Sequence, residues 1–269
     1  MKDFLLSVVT GDMCGVPYEF RKNRIKNEAE IDLHHPKQHF SDDSVCTFAV
    51  AAWLLQKDNP NAFTLETSLR DFCGLVPGAG YGGMFRKWLA DKNMGPYGSY
   101  GNGSAMRVSA VALIAKSEEE VLSLAEETCQ PTHNHPGAIA GAQAAALISY
   151  RILHGSGKEA AKEILDQYYP EWTISYEELR KKYCFRSSAQ ETVPAAIIAF
   201  LKSSSFEDCI IKNIALGGDA DTLCAIACPW AYAYYKEMPE DLVKKAWGSM
   251  PTWMKSVNEK MNAYVKGQQ

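Results

Sequence analysis

From one end of the chain to the other, apolar residues recur three and four positions apart, framed by helix start and stop signals, while sustained period-two alternation is hard to find. That pattern excludes extended sheet and predicts an all-α fold. Two capping boxes open segments of this kind: Ser117-x-x-Glu120 ahead of Val121, Leu124 and Ala125, and Ser175-x-x-Glu178 ahead of Leu179. Pro136 stands at a first helical position, and the run through Ala140, Ala144, Leu147 and Ile148 stops at Gly155. Its Ala/Gly content predicts close packing against neighbours. Phe4 to Thr10 reads as the start of a core helix. Ser188-x-x-Glu191 also matches a capping box, but Pro194 sits one turn inside, so this helix is expected to begin near Val193 or Pro194.

No low-complexity linker or internal repeat divides the chain, and the glycine-rich patches at 78–83 and 95–103 are too short to link domains, so residues 1–269 are expected to form one domain. With 28 Lys+Arg against 32 Asp+Glu and no basic stripe, the charge argues against general nucleic-acid binding, which rests on phosphate neutralisation. The eight cysteines are scattered without a C-x-x-C pair, which points to reduced thiols; Cys224 and Cys228 fall on one helix face as small buried hydrophobes. Phe4–Thr10 is too short for a signal peptide and lacks a small-residue cleavage site. No apolar run spans a bilayer. A cytoplasmic protein is expected.

Two acidic knots carry the chemistry. Ser41-Asp42-Asp43-Ser44 precedes the apolar run Val45, Phe48, Ala49, Ala52, and Gly217-Gly218-Asp219-Ala220-Asp221-Thr222 precedes Leu223–Tyr235. Either could be an ordinary N-cap, because Asp, Ser and Thr accept from the free N–H groups there. One residue suffices for a cap, however, and each knot supplies two carboxylates and a hydroxyl. If the knots converge, four carboxylates repel one another unless protonated or bridged by a cation. Oxygen donors without adjacent His or Cys favour a hard ion, Mg²⁺ or Mn²⁺, and two sets of ligands suit a pair of ions roughly 3.5–4 Å apart.

Taken in order, six segments resemble the ADP-ribosylglycohydrolase family: Gly11–Glu19; Ser41–Ser44, similar to Thr-Asp-Asp-Thr; Gly101–Arg107, similar to Gly-Asn-Gly-x-x-Met-Arg; Thr132-His133 with Pro136; Thr192–Ala196; and Gly217–Thr222. The family includes arginine- and serine-directed ADP-ribosyl hydrolases and the hydrolase of dinitrogen reductase. The resemblance implies an orthogonal multi-helix bundle with a central dinuclear magnesium site, ligated by Ser41, Asp42, Asp43, Asp219, Asp221 and Thr222. It also implies hydrolysis of the glycosidic bond joining ADP-ribose to a protein or small-molecule conjugate, reversing ADP-ribosylation. The diphosphate is expected near Gly101, Asn102, Gly103 and Ser104. These residues lead into an expected helix through Met106, Val108, Ala112 and Leu113 whose N-terminus suits an anion. Met106 and His133 are further substrate-binding candidates. Glu19 is assigned an acid/base or substrate-orienting role, with a salt bridge to Arg21 or Lys22 as its alternative; Asp43 is the other candidate to act on water.

The chain departs from the family pattern at several points. Ser41 and Ser44 stand where threonines are usual, which keeps the oxygen donor and drops the β-branch that stiffens χ1. Ala220 takes a position where Thr is common, and Pro229 predicts a kink or early break in its helix. Gly78-x-Gly80-x-x-Gly83 follows no strand and reads as a mobile loop, not a dinucleotide fingerprint. Trp88, Tyr97 and Tyr100 flank glycine-rich stretches as candidate stacking residues. His133 and His135 lack a third ligand for a metal. A monomeric enzyme is expected. Two other classes remain open at this point: a non-catalytic binding, structural or immunity relative of the same fold, and a two-metal hydrolase of another nucleotide conjugate.

Overall fold

The computed structural model describes residues 3–20, 23, 25 and 27–267. Among them there is no strand; an isolated antiparallel bridge joins Gly101 to Ser188. The helices in order are α1 (Phe4–Gly15), α2 (Asp42–Leu54), α3 (Leu65–Gly74), α4 (Gly83–Ala90), α5 (Gly103–Met106), α6 (Val111–Ile114), α7 (Glu118–Cys129) and α8 (Pro136–Leu153). They continue as α9 (Glu159–Tyr168), α10 (Tyr176–Lys182), α11 (Ala189–Lys202), α12 (Phe206–Leu216), α13 (Ala220–Tyr235), α14 (Glu240–Ser249) and α15 (Thr252–Gly267).

The centre is α13, apolar on nearly every side and surrounded by α1, α8, α11 and α12. Every residue of α1 is buried, which bears out the reading of Phe4–Thr10 as a core helix. Two glycines one turn apart let α1 and α13 approach. A Cβ on Gly11 would fall 2.6 Å from Cys228 Sγ, and one on Gly15 would fall 2.4 Å from Asp221 Cα. No side chain fits at either position, so the start of α13 is pressed against the end of α1. Gly141 does the same for α8 and α11, where a Cβ would lie 2.7 Å from Ala189 Cβ, in line with the close packing expected of the Ala/Gly-rich helix. Amphipathic α3, α7, α9, α14 and α15 form the rim and turn their apolar stripes to one contiguous core.

The start signals act largely as read. Ser175 and Glu178 make the reciprocal capping box. Ser117 caps α7 through Glu120 N, but the Glu120 carboxylate accepts from Lys116 N instead of completing the box. Pro136 is the first residue of α8, capped by His135 Nδ1 accepting from Gly137 N at 3.0 Å. The eight cysteines are free thiols, and Cys224 and Cys228 are buried.

Three expectations fail. α11 begins at Ala189, not at Val193 or Pro194, and runs through Pro194. Its first turn is held from outside: Ala189 N donates to Tyr100 O, and Thr192 Oγ1 accepts from Asn102 Nδ2, which compensates for the amide that proline lacks. α13 likewise continues through Pro229 to Tyr235 without the early break, supported by helices on every side. The run through Met106 to Leu113 is not one helix but the short α5 and α6. Arg107, at the end of α5, is fully buried and directs its guanidinium to Thr128 O and Thr132 Oγ1, and these tertiary bonds outweigh the propensity of a few residues to stay helical. No helix among the described residues is long and apolar enough to cross a membrane.

Candidate active site

The α2 knot begins with an ordinary cap: Ser41 Oγ accepts from Asp43 N at 3.2 Å and donates to Asp43 Oδ2 at 3.0 Å. Two further amides here are taken by Asp12 of α1. Its Oδ2 accepts from Ser41 N at 2.8 Å, from Ser44 N at 3.1 Å and from the Ser44 hydroxyl. A serine and a carboxylate from another helix therefore satisfy the helix start, which frees Asp42 and Asp43 from capping. Thr47 Oγ1, one turn on, shares its single proton between Asp43 O and Met106 O and ties α2 to the end of α5.

The α13 knot is built differently. Gly217 and Gly218 both have positive φ, 79° and 87°, so the chain leaves α12 and reverses within two residues. Asp219 occupies the cap position of α13 without making a side-chain cap bond. Its Oδ2 accepts instead from Asn102 Nδ2 at 2.8 Å, the same amide group that reaches Thr192 Oγ1 at 3.1 Å. Asp221 Oδ1 accepts from Thr222 N at 3.0 Å.

The two knots meet. Thr222 Oγ1 donates to Asp43 Oδ2 at 3.3 Å across 179 positions of sequence. Carboxylate oxygens of Asp12, Asp43 and Asp221 lie within 4.8 Å of one another, and so do those of Glu19, Asp219 and Asp221. Burial, reinforced by neighbouring carboxylates, raises all of these groups: Glu19 and Asp42 are pushed up to about 7, and Asp43 and Asp221 well above the usual carboxylate range. Burial raises Asp12 and Asp219 too, against the hydrogen bonds they accept. Asp12 Oδ1 and Asp43 Oδ1 are buried without a hydrogen-bond partner. Crowded, desolvated oxygen donors with unshared lone pairs and no His or Cys among them suit a hard divalent cation.

Over these carboxylates opens a cleft of ≈ 350 Å³. Its walls include Glu19, Asp42, Asp43, Asp219, Asp221, Thr222, Gly101, Asn102, Gly103, Met106 and His133, eleven of the residues singled out from sequence. Ser41 is buried and donates to Asp43 without lining the cleft. Ser104 is fully buried and donates to Gly101 O at 3.2 Å, so it braces the loop from behind and does not face the cleft. The expected row of loop amides is thinner than an anion cradle: Gly101 N donates to Ser99 Oγ, Asn102 N to Ser187 O and Ser104 N to Gly101 O. Among the described residues, Gly103 N–H is the one left unspent. Arg21 and Lys22, the alternative partners of Glu19, lie outside the described residues.

Of the aromatic candidates, Tyr97 lines the cleft, whereas Trp88 is core beneath the Arg70 guanidinium and Tyr100 is exposed beside His135. The Gly78–Gly83 stretch, set aside as a nucleotide fingerprint, supplies a wall through Gly80, Gly82 and Gly83, with Gly80 at φ 99° over Asp42. Asp12 was not singled out as a site residue, although a carboxylate inside an otherwise apolar helix is costly and marked it. Phe185 and Ser187 enter the cleft with no signal in the sequence.

The chain is similar to known proteins over much of its length. The chain is 26% identical to ADP-ribosylhydrolase ARH3 of Mus musculus over 264 aligned positions, covering 75% of this chain and 71% of that protein. It is 31% identical to ADP-ribosyl-[dinitrogen reductase] glycohydrolase of Rhodospirillum rubrum over 149 positions, covering 52% and 48% respectively. A solved structure described as an ADP-ribosylglycohydrolase-related protein complex superposes with a TM-score of 0.69 at 23% identity, covering 99% of this chain and 96% of that one, and so has the same fold. The sequence model of the ADP-ribosylglycohydrolase family matches residues 1–268, and the chain belongs to that family.

Proposed function

We propose that this protein hydrolyses the glycosidic bond linking ADP-ribose to an acceptor, a protein side chain or a small-molecule conjugate, and releases ADP-ribose and the unmodified acceptor. The observation that carries the reading is the junction of the two helix starts, where Thr222 donates to Asp43 beneath a cleft walled by Glu19 and the Gly101–Gly103 loop. Two Mg²⁺ ions, for which Mn²⁺ can substitute, would be held by Ser41, Asp42, Asp43, Asp219, Asp221 and Thr222. When bound, such a pair neutralises the carboxylates and acidifies water at the cleft floor.

The chain's own groups do the rest. Asn102 holds Asp219 through its amide, and Thr222 and Ser41 hold Asp43 through their hydroxyls, so the carboxylates are positioned before any ligand arrives. Glycosidic cleavage passes through an oxocarbenium-like state that needs a proton for the leaving group and an activated water. Glu19, half-buried at the cleft wall and pushed up to about 7, can both give and take a proton near neutral pH. Asp43 is the second carboxylate able to act on water. Gly101, Asn102, Gly103, Met106 and His133 border the substrate.

The test is a panel of ADP-ribosylated arginine, serine and nucleobase substrates assayed with Mg²⁺, with Mn²⁺ and with chelator. ADP-ribose release from at least one substrate, lost on chelation, is expected. Silence across the panel would favour a binding-only relative, and release of phosphate or nucleotide a different two-metal hydrolase.

A further inference from the structure

Arg107 is fully buried, yet no carboxylate forms a salt bridge with it among the described residues. A buried, uncompensated guanidinium is costly, and its Nε has no acceptor. Nη2 donates to Thr128 O and to Thr132 Oγ1, both at 2.8 Å. On its other side Thr132 Oγ1 lies 2.7 Å from His133 Nδ1.

The direction of each bond follows from what the groups are able to do. Guanidinium only donates, so Thr132 Oγ1 spends a lone pair on Arg107. Among the described residues, its single proton then has one neighbour able to accept it, His133 Nδ1. Were Nδ1 protonated, the oxygen would accept twice and its own proton would be stranded in a buried site. The imidazole is therefore neutral with its proton on Nε2. Burial, with the nearby charge of Arg107, also holds the His133 pKa well below its ordinary value.

Main-chain bonds fix the ring's position. His133 N and Thr132 N both donate to Cys129 O, at 2.7 and 3.1 Å. The ring lies against the loop, where a Cβ on Gly103 would fall 2.8 Å from Nε2 and one on Gly101 would fall 3.5 Å from it. The two glycines thus make room for the imidazole, whose Nε2 has no partner among the described residues and which forms part of the cleft wall beside the unspent Gly103 N–H.

We propose that Arg107 and Thr132 are positioning residues that lock His133 as a neutral Nε2–H donor, aimed with Gly103 N–H at a phosphate oxygen of the bound ligand. His133 is then neither a metal ligand nor a general base. For the identity of the ligand the proposal rests on the function proposed above; the tautomer does not.

Long-range ¹H–¹⁵N spectra of histidine-labelled protein without ligand, with the signal assigned through His133→Gln, test the relay. The wild-type ring should show a bare Nδ1 and a protonated Nε2. Thr132→Val keeps the shape and removes the hydroxyl; it should shift the ring toward Nδ1–H and weaken ADP-ribose and ADP binding roughly 3- to 10-fold by calorimetry, while Thr132→Ser restores both. A protonated Nδ1 in the wild type, or a tautomer unmoved by Thr132→Val, overturns the relay. A shifted tautomer with unchanged affinity for both ligands overturns the donor role. Failure of the wild type to bind ADP-ribose or ADP overturns the ligand half together with the proposed function, and the spectra still decide the relay.

Discussion

The two acidic helix starts look alike in sequence and are held in opposite ways. At α2, a serine caps the helix and Asp12 from α1 takes the amides of Ser41 and Ser44, so the knot is anchored from within its own helix end and one neighbour. At α13, nothing caps in that manner; Asp219 is tethered sideways to Asn102, a residue 117 positions earlier, and Gly217-Gly218 supply the reversal that exposes it. In neither case is the pair of aspartates consumed by capping. A carboxylate pair at a helix start that is capped by other groups is available for chemistry, and its desolvation is the physical sign of that availability.

The largest effect that breaks the comparison is charge removal at the junction itself. Asp43→Asn and Asp221→Asn should each lower ADP-ribose release about 10²- to 10⁴-fold while raising the melting temperature in chelator, because each removes a carboxyl whose ionised form burial and its neighbours disfavour in the folded chain. Equal loss of activity and stability would mean that these carboxylates are structural. Next comes the tether particular to α13: Asn102→Leu should weaken divalent-ion binding by about 10- to 100-fold in calorimetry, and unchanged affinity would show that Asp219 needs no external support.

A pH series then compares the groups collectively. Glu19 and Asp42 are pushed up to about 7 in the folded chain, whereas unfolded carboxylates titrate near 4. The folded state therefore binds more protons in that interval, so stability in chelator should fall as pH rises from about 4 through about 7. Saturating Mg²⁺ should flatten the decline; a rise of stability over the same interval would contradict the raised pKa values. The smallest effect belongs to α2. Ser41→Thr restores the stiffer side chain and should tighten metal binding by no more than about threefold, with the cap intact.

Much of this arrangement was legible before folding is considered. Ser175 with Glu178, and Pro136 with Gly155, announce helix ends through bonds that reach only three or four residues, and the chain obeys them. Ser41–Ser44 and Gly217–Thr222 advertised oxygen donors at helix starts for the same local reason. Pro194 misled because Asn102 and Tyr100, distant in sequence, hold the first turn of α11. Arg107 interrupted an apparent helix because its acceptors, Thr128 O and Thr132 Oγ1, come from elsewhere in the chain. Ser104, aligned with its loop neighbours in sequence, turns inward to Gly101 O.

What the amino-acid order determined alone is the helical character of the chain, the ends of many helices and the oxygen chemistry of its acidic knots, since backbone period and capping act over a single turn. What tertiary structure decided is that Asp43 and Thr222 touch, that Asp12 serves α2 and that Asn102 serves α13. Those outcomes depend on how closely α1 approaches α13 over Gly11 and Gly15, a packing distance set by side chains far apart in the sequence.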